Sequence, residues 1–104
     1  PTYVNAWYNL GLASARQGQL KEAIGCFRET VRIRPDYALA WYNLGVAHAK
    51  LGELREAIGY LRESARIDPK YGKAWELQGL IYEKRGQRDA ADDSFREAAR
   101  LKGR

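Results

Sequence analysis

Three tryptophans, Trp7, Trp41 and Trp75, stand 34 residues apart, and most of the chain follows that period. Ala6-Trp7-Tyr8-Asn9-Leu10-Gly11 recurs as Ala40-Trp41-Tyr42-Asn43-Leu44-Gly45 and, more loosely, as Ala74-Trp75-Glu76-Leu77-Gln78-Gly79. Gly18, Gly52 and Gly86 keep the spacing, as do Pro35 and Pro69, and Tyr3, Tyr37 and Tyr71. The first two copies agree at about 20 of 34 positions. A fixed period of this length makes each copy one supersecondary unit. Such a unit cannot bury its apolar face alone and is stabilised by stacking on the next.

Each copy reads as two helices. Strong helix formers dominate, and proline falls only at copy boundaries. The pattern predicts helices near Val4–Arg16, Leu20–Ile33, Leu39–Lys50, Leu54–Ile67, Lys73–Lys84 and Asp89–Leu101. Short turns at Gly18, Gly52 and Gly86 make the two helices of a copy antiparallel neighbours. Trp7, Leu10 and Gly11 with their equivalents are expected to face the core, around Ala23, Phe27 and theirs. Small residues opposed across the pair (Gly11, Gly45, Gly79; Ala23, Ala57, Ala91) predict a close approach of helix axes. Gly25 and Gly59 are odd, because a mid-helix glycine costs about 1 kcal/mol against alanine. Nothing in the sequence gives them a firm reason; a close neighbour on the outer surface is one option.

These residues resemble the tetratricopeptide repeat family. Trp7, Leu10, Gly11, Ala23, Phe27 and Pro35 carry the pattern. Trp41, Leu44, Gly45, Ala57, Leu61 and Pro69 repeat it, and Trp75, Gly79, Tyr82, Ala91 and Phe95 repeat it loosely. Ser14 and His48 stand where the family usually has Tyr, Leu61 replaces an aromatic, and Gln78 replaces Leu. The resemblance implies an all-α, right-handed superhelix of three antiparallel helix-turn-helix repeats, six helices in all. Its segments are 1–3 (tail of a preceding repeat or linker), 4–37, 38–71 and 72–104, the last with capping character. It also implies a concave groove, lined by the first helix of each repeat, that holds peptides or partner segments without doing chemistry.

Spacings of three and four residues define one stripe on each first helix. The stripes are Asn5, Tyr8, Asn9, Leu12 and Arg16; then Leu39, Tyr42, Asn43, Val46 and Lys50; then Lys73, Glu76, Leu77, Leu80 and Lys84. The resemblance puts them on the concave surface. Leu12, Val46 and Leu80 make an apolar floor. The tyrosines add aromatic area, and Asn9 and Asn43 can meet a peptide backbone. Arg16, Lys50 and Lys84 make a basic row. The expected partner is an apolar segment with acidic character, a preference that Glu76 and Glu83 weaken at the third repeat. The competing expectation is that the tyrosines only pack against neighbouring helices and the basic row is merely solvated. Some family members clamp a chaperone's C-terminal carboxylate through five Lys, Asn and Arg positions. Here Asn43 and Lys73 match two, while Tyr8, Leu12 and Leu77 occupy the rest, so that clamp is not expected.

Charge and composition bear on the other classes. The net charge of +5 divides as +2, +1 and +2 over the three copies, in mixed-sign stretches such as Arg28-Glu29. Nucleic-acid binding wants clustered charge, so it ranks below a protein partner. One cysteine, Cys26, and one histidine, His48, leave no internal disulfide framework and no cysteine-based metal cage, and no cofactor is expected. No phosphate loop or catalytic triad appears, which argues against an enzyme and against a small-molecule substrate. There is no recognisable leader and no run of about 20 apolar residues. Membrane insertion is not expected, and the cytoplasm is the expected compartment.

The last copy changes character. Leu20 and Leu54 become Arg88, Ile24 and Ile58 become Asp92, and Cys26 and Tyr60 become Ser94. Polar substitution on an outer flank is what a terminal cap needs. The Pro1 start and the absence of Met lead to the expectation of a piece cut from a longer array. An open Trp7 flank would then invite self-association. An assembly scaffold working through repeat ends or the convex surface is the alternative function.

Overall fold

The computed structural model describes residues 2–103, and of Thr2 only the backbone. Pro1 and Arg104, which fall in the first and last predicted segments, lie outside the described residues. Among those described there are six helices and no strand: α1 (Thr2–Arg16), α2 (Leu20–Ile33), α3 (Ala38–Lys50), α4 (Leu54–Ile67), α5 (Gly72–Lys84) and α6 (Arg88–Lys102). The predicted bounds of α2 and α4 are met at both ends. The others open one or two residues early, and α6 also closes one residue late.

The first helix of every pair ends in the same device. Gly18, Gly52 and Gly86 have φ of 77°, 81° and 77°, a left-handed conformation that a Cβ would strain. After α1, the Gly18 N–H donates to the Ala15 carbonyl at 3.0 Å and the Gln19 N–H to the Ser14 carbonyl at 2.9 Å. Gly52-Glu53 and Gly86-Gln87 repeat this Schellman pattern, which satisfies carbonyls the helix leaves orphaned. None of α2 to α6 has a side-chain N-cap, so tertiary packing rather than capping sustains them.

Packing runs in sequence, α1 on α2, α2 on α3, and so on to α6. One core joins Ala23, Ile24 and Phe27 to Leu44 and Ala47 of the next repeat; a second joins Ala57, Ile58 and Leu61 to Ile81. Burying a Phe, Leu or Ile side chain here contributes roughly 1.5–3 kcal/mol. The close approach is present, and at Gly45 an added Cβ would lie 3.2 Å from the Ala57 carbonyl, but the nearest atoms belong to a larger residue. A Cβ on Gly11, Gly45 or Gly79 would lie 2.6, 2.7 or 2.6 Å from the side chain of Phe27, Leu61 or Phe95. Each glycine is the seat for the large residue of the facing helix.

The structure refines three readings. Trp7 and Leu10 are 38% and 52% exposed, whereas Leu44 is fully buried, because no described helix precedes α1; the core-facing side of α1 is thus also the open Trp7 flank that the sequence suggested. Gly25 and Gly59 have nothing within 4 Å of an added Cβ, so no close neighbour explains them. Ser94 is buried rather than part of a polar outer flank, its hydroxyl donating to the Ala90 carbonyl at 3.0 Å. Arg88 and Asp92, by contrast, are exposed.

Candidate functional site

Two contacts bring members of neighbouring stripes together. The Asn43 amide donates to the Tyr8 hydroxyl at 3.1 Å, joining α1 to α3. Glu76 lies close enough to Tyr42 to act on its phenol, joining α3 to α5.

Within the stripes the residues divide by exposure. Asn5, Asn9, Arg16, Leu39, Lys50, Lys73, Leu80 and Lys84 are exposed. Tyr8, Leu12, Tyr42, Asn43, Val46, Glu76 and Leu77 are half-buried. Tyr8 and Leu12 pack against the first core, and Tyr42 and Leu77 against the second. Leu80 and Leu39, at 54% and 42%, are the stripe leucines that solvent reaches most. Arg16, Lys50, Lys73 and Lys84 have no ion-pair partner among the described residues, whereas Glu76 is held by Lys102 at 2.6 Å. The amide nitrogen of Asn43 is occupied, since it also donates to the Leu39 carbonyl at 2.9 Å.

The tyrosines serve packing as well as surface. The Tyr8 ring lies 5.8 Å from Phe27 and stacks on Tyr37 at 4.8 Å. Tyr42 meets Tyr71 edge-on at 5.1 Å. Arg34 lies over the Tyr37 ring at 4.9 Å, within cation–π range. Tyr37 and Tyr71 thus adjoin the stripes, which had omitted them. Their signal was in the 34-residue period, but they precede the first helices, where no helical spacing points to them. Burial, then the Tyr37 and Tyr71 phenols, push Tyr8 above the usual tyrosine value, against the pull of the Asn43 hydrogen bond. Burial, then Glu76, raise Tyr42; burial, then Tyr42 and Asp68, raise Tyr71. All three are neutral hydroxyls at neutral pH.

The lone sulfur and imidazole are structural. Cys26 is buried and burial raises its thiol, the reverse of an activated cysteine. His48 is buried and stacks on Tyr60 at 4.9 Å, with its Nδ1 2.7 Å from a Glu53 carboxylate oxygen. Among the described residues no group of three or more His, Cys, Asp or Glu could hold a metal ion, and no helix is long and apolar enough to cross a membrane.

Known proteins share this architecture. A crystal structure of MamA superposes with a TM-score of 0.94 at 30% identity, over 96% of this chain and 58% of that one. The chain therefore spans little more than half the length of that relative. MamA 41-end from Desulfovibrio magneticus RS-1 gives 0.91 at 24% identity, over 98% and 58% of the two chains. The second TPR of Spaghetti (RPAP3), in complex with the HSP90 peptide SRMEEVD, gives 0.90 at 21% identity, over 94% and 91%. No curated protein matches the sequence. One tetratricopeptide repeat model matches residues 8–72 and another matches residues 72–104. With six helices in three stacked pairs and the repeat pattern matched almost from end to end, the chain belongs to the tetratricopeptide repeat family.

Proposed function

We propose that the chain is a non-enzymatic protein-interaction module that holds a peptide or extended partner segment, apolar with acidic character, in a concave groove lined by α1, α3 and α5. The observation that carries this reading is the row Arg16, Lys50 and Lys84. These three occupy equivalent places on the first helices, are exposed, and lack an ion-pair partner among the described residues. A row of unmatched cations, one per repeat, favours an anionic partner and sets its register. Exposed Leu39 and Leu80 supply apolar contact, Asn5 and Asn9 offer free amides to a backbone, and Tyr8 and Tyr42 add aromatic walls. The peptide held by the second TPR of Spaghetti (RPAP3) is a precedent for such use of the fold. Its chaperone-tail chemistry is not extended to this chain, where Tyr8, Leu12 and Leu77 replace three of the clamp residues.

A random peptide display selection tests the reading. Selected sequences should be rich in Asp, Glu and Leu. The double variant K50E/K84E should turn that preference toward Lys and Arg. Selection of sequences with no charge bias, or a bias that the double variant leaves intact, would remove the groove assignment.

A second reading rests on the α1 flank. Tyr3, Trp7 and Leu10 are exposed there and line a hollow of about 260 Å³ with Ala6. On α6 the residues equivalent to the covering Leu20 and Ile24 are Arg88 and Asp92, so stacking α6 of one copy on α1 of another would bury charge against the apolar Trp7–Leu10 flank. Self-association would therefore be two-fold, α1 against α1. Sedimentation over a concentration series should show a dimer that Leu10→Arg abolishes; a monomer throughout would exclude it.

A further inference from the structure

Between α4 and α5 lies a crevice of about 290 Å³ lined by Arg62, Ala65, Arg66, Trp75 and Gln78. A hollow of about 480 Å³ shares Arg62 and Arg66 and opens over Gly59, where nothing meets an added Cβ. None of these residues belongs to the groove stripes.

The unusual member is Gln78. It is 3% exposed and its Nε2 has no hydrogen-bond partner. The other two copies place Leu10 and Leu44 at this position. A buried amide donor left unmade is costly, so a leucine site converted to glutamine calls for an acceptor. Its terminal torsion is broad and two-fold, so rotation presents the donor nitrogen to the crevice the side chain lines.

The lining charges define that acceptor. Arg66 is already paired with Glu63 through two of its nitrogens, which leaves that pair neutral. Arg62 has no ion-pair partner among the described residues. One unmatched positive charge suits a monoanion, and the nearby Glu63 carboxylate opposes a dianion such as phosphate. The Trp75 indole N–H donates to the Pro69 carbonyl at 2.9 Å, so its ring contributes an apolar wall rather than a donor. With Ala65 it suits the methylene stem of an acidic side chain.

We propose that this crevice is a second recognition site, taking a single carboxylate of a partner segment, donated to by Arg62 and Gln78 with its carbon stem against Trp75. The equivalent place between α2 and α3 serves as a control within the same molecule. Arg28, Glu29, Arg32 and Trp41 recur there, but Val31 and Leu44 replace Ala65 and Gln78.

Titration of ¹⁵N-labelled protein at constant ionic strength tests this. The probes are N-acetyl-glutamate methylamide (a side-chain carboxylate), N-acetyl-alanine (a terminal carboxylate), N-acetyl-glutamine methylamide and inorganic phosphate. At least one carboxylate should shift the Trp75 indole and Gln78 amide resonances saturably, leaving the Trp41 indole unmoved. The tighter carboxylate tells a side-chain source from a chain terminus. Arg62→Gln and Gln78→Leu should each weaken binding at least tenfold, whereas Arg28→Gln and K50E/K84E should leave it unchanged. The last variant separates the outcome from the fate of the groove. Gln78→Leu restores the residue of the other two copies, so it keeps the fold. The proposal falls if no carboxylate saturates, if Trp41 responds equally, if either crevice variant binds as before, or if phosphate or the glutamine amide binds as tightly.

Discussion

Gly45 and Gly59 lie on consecutive helices of one repeat and should answer oppositely to the same substitution. Alanine at 45 would put a Cβ 2.7 Å from Leu61 and 3.2 Å from the Ala57 carbonyl. Overpacking of this kind costs about 1–3 kcal/mol, more than the gain in helix propensity returns. Alanine at 59 meets open space and should stabilise by about 1 kcal/mol. Urea denaturation of both variants measures the two signs. The sequence presented both as glycines at fixed repeat positions, and only the position opposite Phe27 and its equivalents had a packing reason. The other pair had no firm reason, because openness on a helix surface leaves no mark in the residue itself. Gln78 is a similar case. Its departure from the repeat pattern was legible, but its orphaned nitrogen follows from what surrounds it. Gln78→Leu should raise stability by about 1–3 kcal/mol, the cost of an unmade buried hydrogen bond. A variant less stable than the parent would show that the amide is satisfied.

At the scale of the helix, the period reaches into the charges. Glu29 pairs with Arg32 on α2, Glu63 with Arg66 on α4, and Glu97 with Arg100 on α6. The arginines hold the Glu29 and Glu63 carboxyls below the usual range by direct hydrogen bonding. A carboxyl depressed in the folded state stabilises above its unfolded pKa, about 4.3 for Glu. That contribution is lost as pH falls through the folded value. Acidification from neutral pH should therefore weaken α2 and α4, and E29Q/E63Q should remove part of that dependence. Helicity followed by circular dichroism through the acid range, in low salt, reads the difference. A double variant with the acid profile of the parent would mean the pairs are solvated to no effect, as exposed pairs often are. The pairs were present in the sequence at a spacing of three. Helix bounds were the most legible feature of all, since Gly18 and Pro35 act through local backbone geometry. The Tyr8–Tyr37 and Tyr42–Tyr71 contacts were not, because they join the first helix of one repeat to the turn ahead of the next repeat.

For the molecule as a whole, stability is distributed along the stack. The middle repeat has neighbours on both flanks, with Leu44 and Leu61 fully buried. Helix α1 has α2 on one side and an open Trp7–Leu10 flank on the other. In such a linear arrangement each unit is stabilised mainly by its immediate neighbours. Native-state hydrogen exchange should find the highest protection in α3 and α4 and the earliest opening in α1. Equal protection throughout would mean a single cooperative unit. The architecture was legible because a period is a property of the whole chain that no single substitution erases. The candidate groove was legible only in part. Helical spacing could not separate Arg16, Lys50 and Lys84, which are open, from Tyr8 and Tyr42, which share their area with the core.

One small recurrence marks each junction between hairpins. The Trp41 indole N–H donates to the Pro35 carbonyl at 2.7 Å, and the Trp75 indole N–H to the Pro69 carbonyl at 2.9 Å. Each bond pins the turn linking two hairpins to the body of the second. Each fastening lies at the surface, where water competes for it, beside the buried core that holds the hairpins together. Replacing both indoles with naphthyl rings would keep the bulk and release the fastening. The array would then behave as a softer spring, able to lengthen and recoil with little change in its core.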